Sequence, residues 1–257
     1  MSGWLAIWTA LIALLVRAED RADPLLVAGV AEFAAAYKSW DRDGFAKAAE
    51  LVRQASTNTL NYAPCYYWLG VVEFHRMLHL RNLAAADTNR AAVSSVMDAA
   101  ITALERAVEL GPWHAESHAL LATLYGMKID RNMIRAVRFG PRVDRHRTHA
   151  LAYGAENPRV QYLLGTCQFH TAKKPAAVRE ALATLLKAEK LFEAEAKIEP
   201  GPLDPRWGYA SCLMFIGRAY EQLGQHNEAA DYYRRVLAQQ ASNHLARQCL
   251  TRVAKDN

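Results

Sequence analysis

Tyr67-Trp68-Leu69-Gly70-Val71-Val72-Glu73-Phe74-His75 returns 95 residues later as Tyr162-Leu163-Leu164-Gly165-Thr166-Cys167-Gln168-Phe169-His170. Five of the nine positions are identical and in register. Repetition on this scale indicates an array of similar units, each packed on its neighbours. Ala and Leu dominate the 257 residues and long β-branched runs are absent, so the units read as helical. The correspondence extends outward from the repeat. Residues 100–107 match 181–188, and Pro112-Trp113 with Ala122 and Tyr125 matches Pro205-Arg206-Trp207 with Gly217 and Tyr220. Two modules of two hairpins, 61–156 and 157–241, therefore follow an irregular leading hairpin at 19–60. Residues 242–257 supply a closing helix, which an array needs to solvate its end.

The C-terminal unit shows the template most fully. Leu213, Ile216, Gly217, Tyr220, Gly224, Ala229, Tyr233 and Val236 describe two antiparallel helices of about 34 residues in total, joined at Gly224-Gln225-His226. The small residues Gly217 and Ala229 mark where the helices touch. Tyr220 and Tyr233 fill the space between hairpins. This pattern resembles the tetratricopeptide repeat (TPR), with Ala241 where that family carries a proline. The resemblance implies an all-α, right-handed α-solenoid of TPR-like hairpins with insertions. One insertion is expected at 81–95, between the two helices of the first module's leading hairpin.

The resemblance extends to a group of uncharacterised bacterial exported TPR-repeat proteins. It rests on Asn157-Pro158-Arg159 leading to Leu164-Gly165, and on Trp207-Gly208 ahead of the last repeat. Thr171-Ala172-Lys173-Lys174-Pro175 stands where that group commonly has Thr-Pro and a glycine-rich turn. Export agrees with the first residues. Trp4 to Val16 is an apolar run, and Val16-Arg17-Ala18 places small residues for cleavage before Glu19, so 1–18 reads as a signal peptide of a periplasmic protein. A retained N-terminal anchor in the inner membrane is the alternative.

As a helix, the repeated stretch places Tyr67, Phe74 and His75 on one face. Tyr162, Phe169 and His170 are their equivalents. In a TPR solenoid these positions face the concave side. With Arg159 and Arg218 they are expected to line a groove that binds a protein or peptide partner, through aromatic contact area and Arg–carboxylate pairs. A small ligand held for a solute transport system is the alternative occupant.

Net charge is +5, and residues 128–147 alone carry seven basic and two acidic side chains. That segment thus accounts for the whole imbalance. Arg131, Arg135, Arg138 and Arg142 are spaced 4, 3 and 4, a helical stripe expected to stop at Gly140-Pro141, with Arg145 and Arg147 beyond. Such a stripe suits an anionic membrane surface or an acidic partner. No nucleic-acid recognition motif accompanies it.

The remaining chemistry is sparse. His75/His79 and His114/His118 have chelating spacing, but no HExxH pattern or third ligand completes either pair, so no metal is expected. Cys65, Cys167, Cys212 and Cys249 form no CxxC pair and read as small buried hydrophobes. No nucleophile elbow or phosphate loop is present, so neither catalysis nor a cofactor is expected.

Overall fold

The computed structural model describes residues 23–59, 61–82 and 90–255. Among the described residues the chain forms eleven α-helices. They are α1 (Pro24–Ser39), α2 (Arg42–Asn58), α3 (Ala63–Asn82), α4 (Arg90–Leu110), α5 (Ala115–Ile129), α6 (Met133–Gly154), α7 (Pro158–Thr171), α8 (Pro175–Glu195), α9 (Tyr209–Gln222), α10 (His226–Gln239) and α11 (His244–Val253). Successive pairs pack along their lengths as five hairpins, and α11 closes the array against α10. The segment expected to direct export lies outside the described residues.

Local chemistry sets the helix starts. Asp23 accepts from the Leu25 and Leu26 amides ahead of Pro24, and Asn157 accepts from those of Arg159 and Val160 ahead of Pro158. Asp41, Asn132 and Asn243 cap α2, α6 and α11 in the same way. Each side chain satisfies amides that the first turn leaves unpaired, and proline at the first position loses nothing. Between α9 and α10 the chain turns through Gly224 at φ 77°, a left-handed conformation that glycine adopts without strain.

Close approach within hairpins explains the shared spacing of the two repeated stretches. A Cβ at Gly70 would sit 2.4 Å from Leu104 Cγ, one at Gly165 2.7 Å from Leu185 Cγ, and one at Gly217 2.7 Å from the Tyr233 ring. One continuous core runs from Leu26 in α1 to Ala219 in α9, and two smaller clusters hold α10 and α11. All four cysteines are thiols; Cys65, Cys212 and Cys249 are buried and Cys167 is half-buried.

Two expectations need correction. The insertion at 81–95 is shorter than expected, because α4 already begins at Arg90. Its Ala91 and Ala92 are strong helix formers, and Val93 and Met97 continue the register of the buried Ile101 and Leu104. The second correction is at Gly140-Pro141, which does not end α6; Pro141 lies inside it. Proline there leaves the Val137 carbonyl without its helical donor. Val137 faces solvent, which leaves that carbonyl accessible to water.

Hairpin α5/α6 departs from the rest. Only His146 and Ala150 of the 22 residues of α6 are buried. This helix packs along α5 but barely touches α7, whereas α2, α8 and α10 lie firmly on the helix that follows them.

Candidate functional site

The first helices of the hairpins turn their inner side toward a segment of the chain itself. After α8 the backbone returns through Pro200, Pro202 and Pro205, which cannot continue a helix, and delivers Trp207 to the interior. The Trp207 indole donates to the Tyr67 hydroxyl at 3.2 Å, and its ring lies 5.3 Å from that of His75. Trp68 Nε1 donates to the Leu203 carbonyl at 3.3 Å, fastening the same segment to α3.

Beneath Trp207 lies a buried ionic network. Arg159, only 2% exposed, donates through Nε to Glu116 at 2.7 Å and through Nη1 to Glu195 at 3.0 Å. Its Nη2 also bonds Glu195, and Tyr67 donates its hydroxyl to Glu116. Asn157 Nδ2 donates at 2.8 Å to the same Glu116 oxygen that accepts from Arg159 Nε. Burial works against the Arg159 charge, but Glu116 and Glu195 outweigh it and hold the guanidinium above its ordinary pKa. Burial, with the Glu116 charge, pushes the Tyr67 phenol up. Charges taken out of water need this degree of pairing, since an unpaired one is strongly destabilising.

His75 is enclosed by the rings of Phe33, Tyr37, Phe45, Phe74 and Trp207, with centroids 5.0 to 6.3 Å away. Its Nδ1–H donates to the Val71 carbonyl at 2.8 Å. Burial lowers its pKa to about 4 and keeps it neutral. Tyr37 also joins the first helix to the last hairpin. Its hydroxyl accepts from Gly208 N at 3.0 Å, and its carbonyl accepts from Gln240 Nε2 at 3.0 Å.

These contacts correct the expected groove. Tyr67, Phe74, His75, Tyr162, Phe169 and Arg159 are buried. They form the inside of the solenoid, and Trp207 with its segment covers Tyr67, His75, Arg159 and Tyr162. Trp207, Glu116 and Glu195 are the interior groups that repeat reading missed. The local signal was available in α3, where Trp68, Val71, Val72, Phe74 and Met77 spread apolar side chains over most of the helix circumference; so wide an apolar face indicates burial against more than one neighbour.

Two of the eight expected groove residues do reach the surface, and they do so together. His170 is exposed and Arg218 is half-buried. The Arg218 guanidinium lies 5.3 Å over Phe169 and 5.2 Å over Phe215, and the His170 ring is 5.3 Å from Phe215. Burial lowers the His170 pKa, and the charges of Arg218 and Arg81 lower it further. Helices α3, α7 and α9 thus present three basic side chains around an aromatic floor.

The basic stripe is placed at the surface as a whole: Arg131, Arg135, Arg138, Arg142, Arg145 and Arg147 are all exposed. Arg142 donates to the Tyr125 hydroxyl at 3.0 Å, and Arg147 pairs with Asp144 at 3.1 Å. The histidine pairs hold no metal geometry; among the described residues no cluster of three or more His, Cys, Asp or Glu is arranged to bind one. His118 instead bonds His146, Nδ1 to Nδ1 at 2.9 Å, while its Nε2–H donates to the Pro112 carbonyl at 2.9 Å.

Hairpins stacked in this way define a TPR-type α-solenoid. Solved structures share the fold. TTC0263, a thermophilic TPR protein of Thermus thermophilus, superposes with a TM-score of 0.62 at 14% identity, covering 90% of this chain and 97% of that one. A chain of the APC/C hetero-tetramer Cut9-Hcn1 superposes with a TM-score of 0.56 at 14% identity, covering 82% of this chain and 33% of that one. This chain therefore spans about a third of the longer Cut9-Hcn1 chain. No curated protein matches in sequence. The model of one family, Regulator of microtubule dynamics protein 1-3, matches residues 71–255, and the chain belongs to that family.

Proposed function

We propose that the protein is a non-catalytic TPR scaffold that holds an acidic segment of a partner protein. The segment docks on the part of the inner face that Trp207 leaves open. One observation carries this reading: Arg218 lies over Phe169 and Phe215 with His170 beside it and the Arg81 charge within reach, and among the described residues no carboxylate forms an ion pair with Arg218, its neighbour Glu221 being paired with Arg252. Arg218 stacked on aromatic rings keeps its donors pointing outward, a geometry suited to carboxylates.

The family's name supplies one candidate of the right chemistry, since the microtubule surface is acidic. The test uses two probes: a fluorescent Glu-rich peptide with a free C-terminal carboxylate, and polymerised microtubules. Both are offered to wild type, Arg218→Ala and His170→Ala. Binding that weakens about tenfold in Arg218→Ala, with thermal stability kept, supports the reading; losing one charge-assisted contact accounts for about 1.5–3 kcal/mol. Equal binding by all three proteins, or none to either probe, sinks the patch as the docking site.

A further inference from the structure

The first turns of α6 combine two features that soluble proteins ordinarily keep apart. Met133, Ile134 and Val137 are 79%, 82% and 78% exposed, with their side chains projecting from one ridge. Arg131, Arg135 and Arg138 are interleaved with them, and all three are exposed. No ion pair engages these three arginines among the described residues, although Arg138 lies 5.2 Å over the Phe139 ring. From residue 131 to residue 143 the sequence contains no acidic side chain.

Beside the ridge lies an open cleft of about 850 Å³, where the ends of α3 and α5 meet the beginnings of α4 and α6. Arg81, Lys128, Arg135 and Arg138 stand on its walls, with Met97 and Phe139 among its apolar lining. Among the described lining residues Asp130 is the only acidic one.

We infer that this face of α6 docks on an anionic membrane surface. The apolar side chains enter the boundary between headgroups and acyl chains, while the arginines meet lipid phosphates and carboxylates. A helix lying in the interface uses these two components, apolar burial and attraction to anionic lipid. Shape favours a membrane over a protein partner. The three apolar side chains form a protruding ridge, which a fluid surface accepts anywhere, whereas a protein would need a matching groove. Charge agrees, since each cation near such a surface adds to binding and the ridge carries no acid to offset it. The weak packing of α6 on α7 leaves the outer side of the helix uncovered. Among the described residues no helix is long and apolar enough to cross a membrane, so contact through this face is peripheral. The surface is separate from the Arg81–His170–Arg218 patch except for Arg81, which borders both.

The test is co-flotation of the full chain with vesicles of phosphatidylcholine alone, and of phosphatidylcholine mixed with phosphatidylserine. Wild type is compared with Arg135→Glu/Arg138→Glu and with Ile134→Ser/Val137→Ser. These exposed positions tolerate change, and unchanged circular dichroism and melting confirm it. The expected result is salt-sensitive binding to the mixed vesicles, reduced at least about tenfold by the charge reversals and clearly by the serine pair. Equal flotation of all three proteins overturns the inference, as does equal binding to both vesicle types. Binding to an acidic peptide that depends on Arg135 and Arg138, with no flotation, also overturns it and assigns the ridge to a protein. The Arg218→Ala protein should float like wild type, which separates this surface from the proposed peptide patch.

Discussion

Hairpins α9/α10 and α5/α6 belong to the same array and have been put to opposite uses. In α10 the side chains of Ala229, Ala230, Tyr233 and Val236 are buried, and Gly217 on α9 leaves room for the Tyr233 ring. Its length is spent on packing. In α6 two buried residues hold 22, and the exposed turns carry arginine and large apolar side chains. A repeat protein distributes stability over nearest-neighbour interfaces. One hairpin can therefore weaken its own interface and free a surface, provided its neighbours remain well packed.

The largest test of that contrast is Tyr233→Ala. Removing a fully buried aromatic from the regular hairpin should cost about 3–5 kcal/mol, read as a clear fall in the denaturation midpoint. A cost below about 1 kcal/mol would mean that the C-terminal hairpin is no better anchored than α6.

An intermediate effect is expected from pH. His146 is one of the two buried anchors of α6. Burial, with the charges of His118, Arg145, His149 and Arg142, lowers its pKa to about 4. Burial chiefly lowers that of His118 too. His118 donates to the Pro112 carbonyl from Nε2, so its Nδ1 accepts from His146; a proton on that Nδ1 would set two donors face to face. Unfolded histidine takes up a proton near pH 6.5, while folded His146 resists until about 4 and His118 is lowered in the same direction. The stabilisation is therefore present above about pH 6.5 and is lost as pH falls toward 4, by at most about 1.4 kcal/mol per pH unit for each His. Hydrogen exchange should show α6 amides losing protection between about pH 7 and about pH 5 before those of α9 and α10. Simultaneous loss in both hairpins would end the idea of a separately weak α6.

The smallest effect is Gly140→Ala. Nothing lies within 4 Å of a Cβ there, so alanine should stabilise the protein by about 0.5–1 kcal/mol through helix propensity alone. Destabilisation would show that α6 is less regular than described.

Particular residues show how far the sequence could be read. Gly70 and Gly165 stood out because only a small residue fits where two helices touch, and Leu104 and Leu185 do lie against them. Local spacing determines such contacts, so the hairpins were legible. The stripe of Tyr67, Phe74 and His75 was assigned to one side of a helix correctly and to an open groove incorrectly. What closes that groove is Trp207, 140 residues beyond Tyr67, and no periodicity connects them. The Glu116–Arg159–Glu195 network spans three helices for the same reason. The exposure of the arginine stripe was legible because surface position follows from charge itself, whereas its continuation through Pro141 on one helix was not.

Tyr37 ties the first described helix of this solenoid to its last hairpin, through Gly208 and Gln240. An open stack of repeats frays from either terminus and can lengthen by copying a unit. A stack whose first helix is latched to its last hairpin has a fixed circumference. Inserting another hairpin would pull Tyr37 away from its partners, so the number of units is constrained by this latch. Thermal disorder, denied an easy start at the latched N-terminal end, would begin in the loosest interior unit, which is α6.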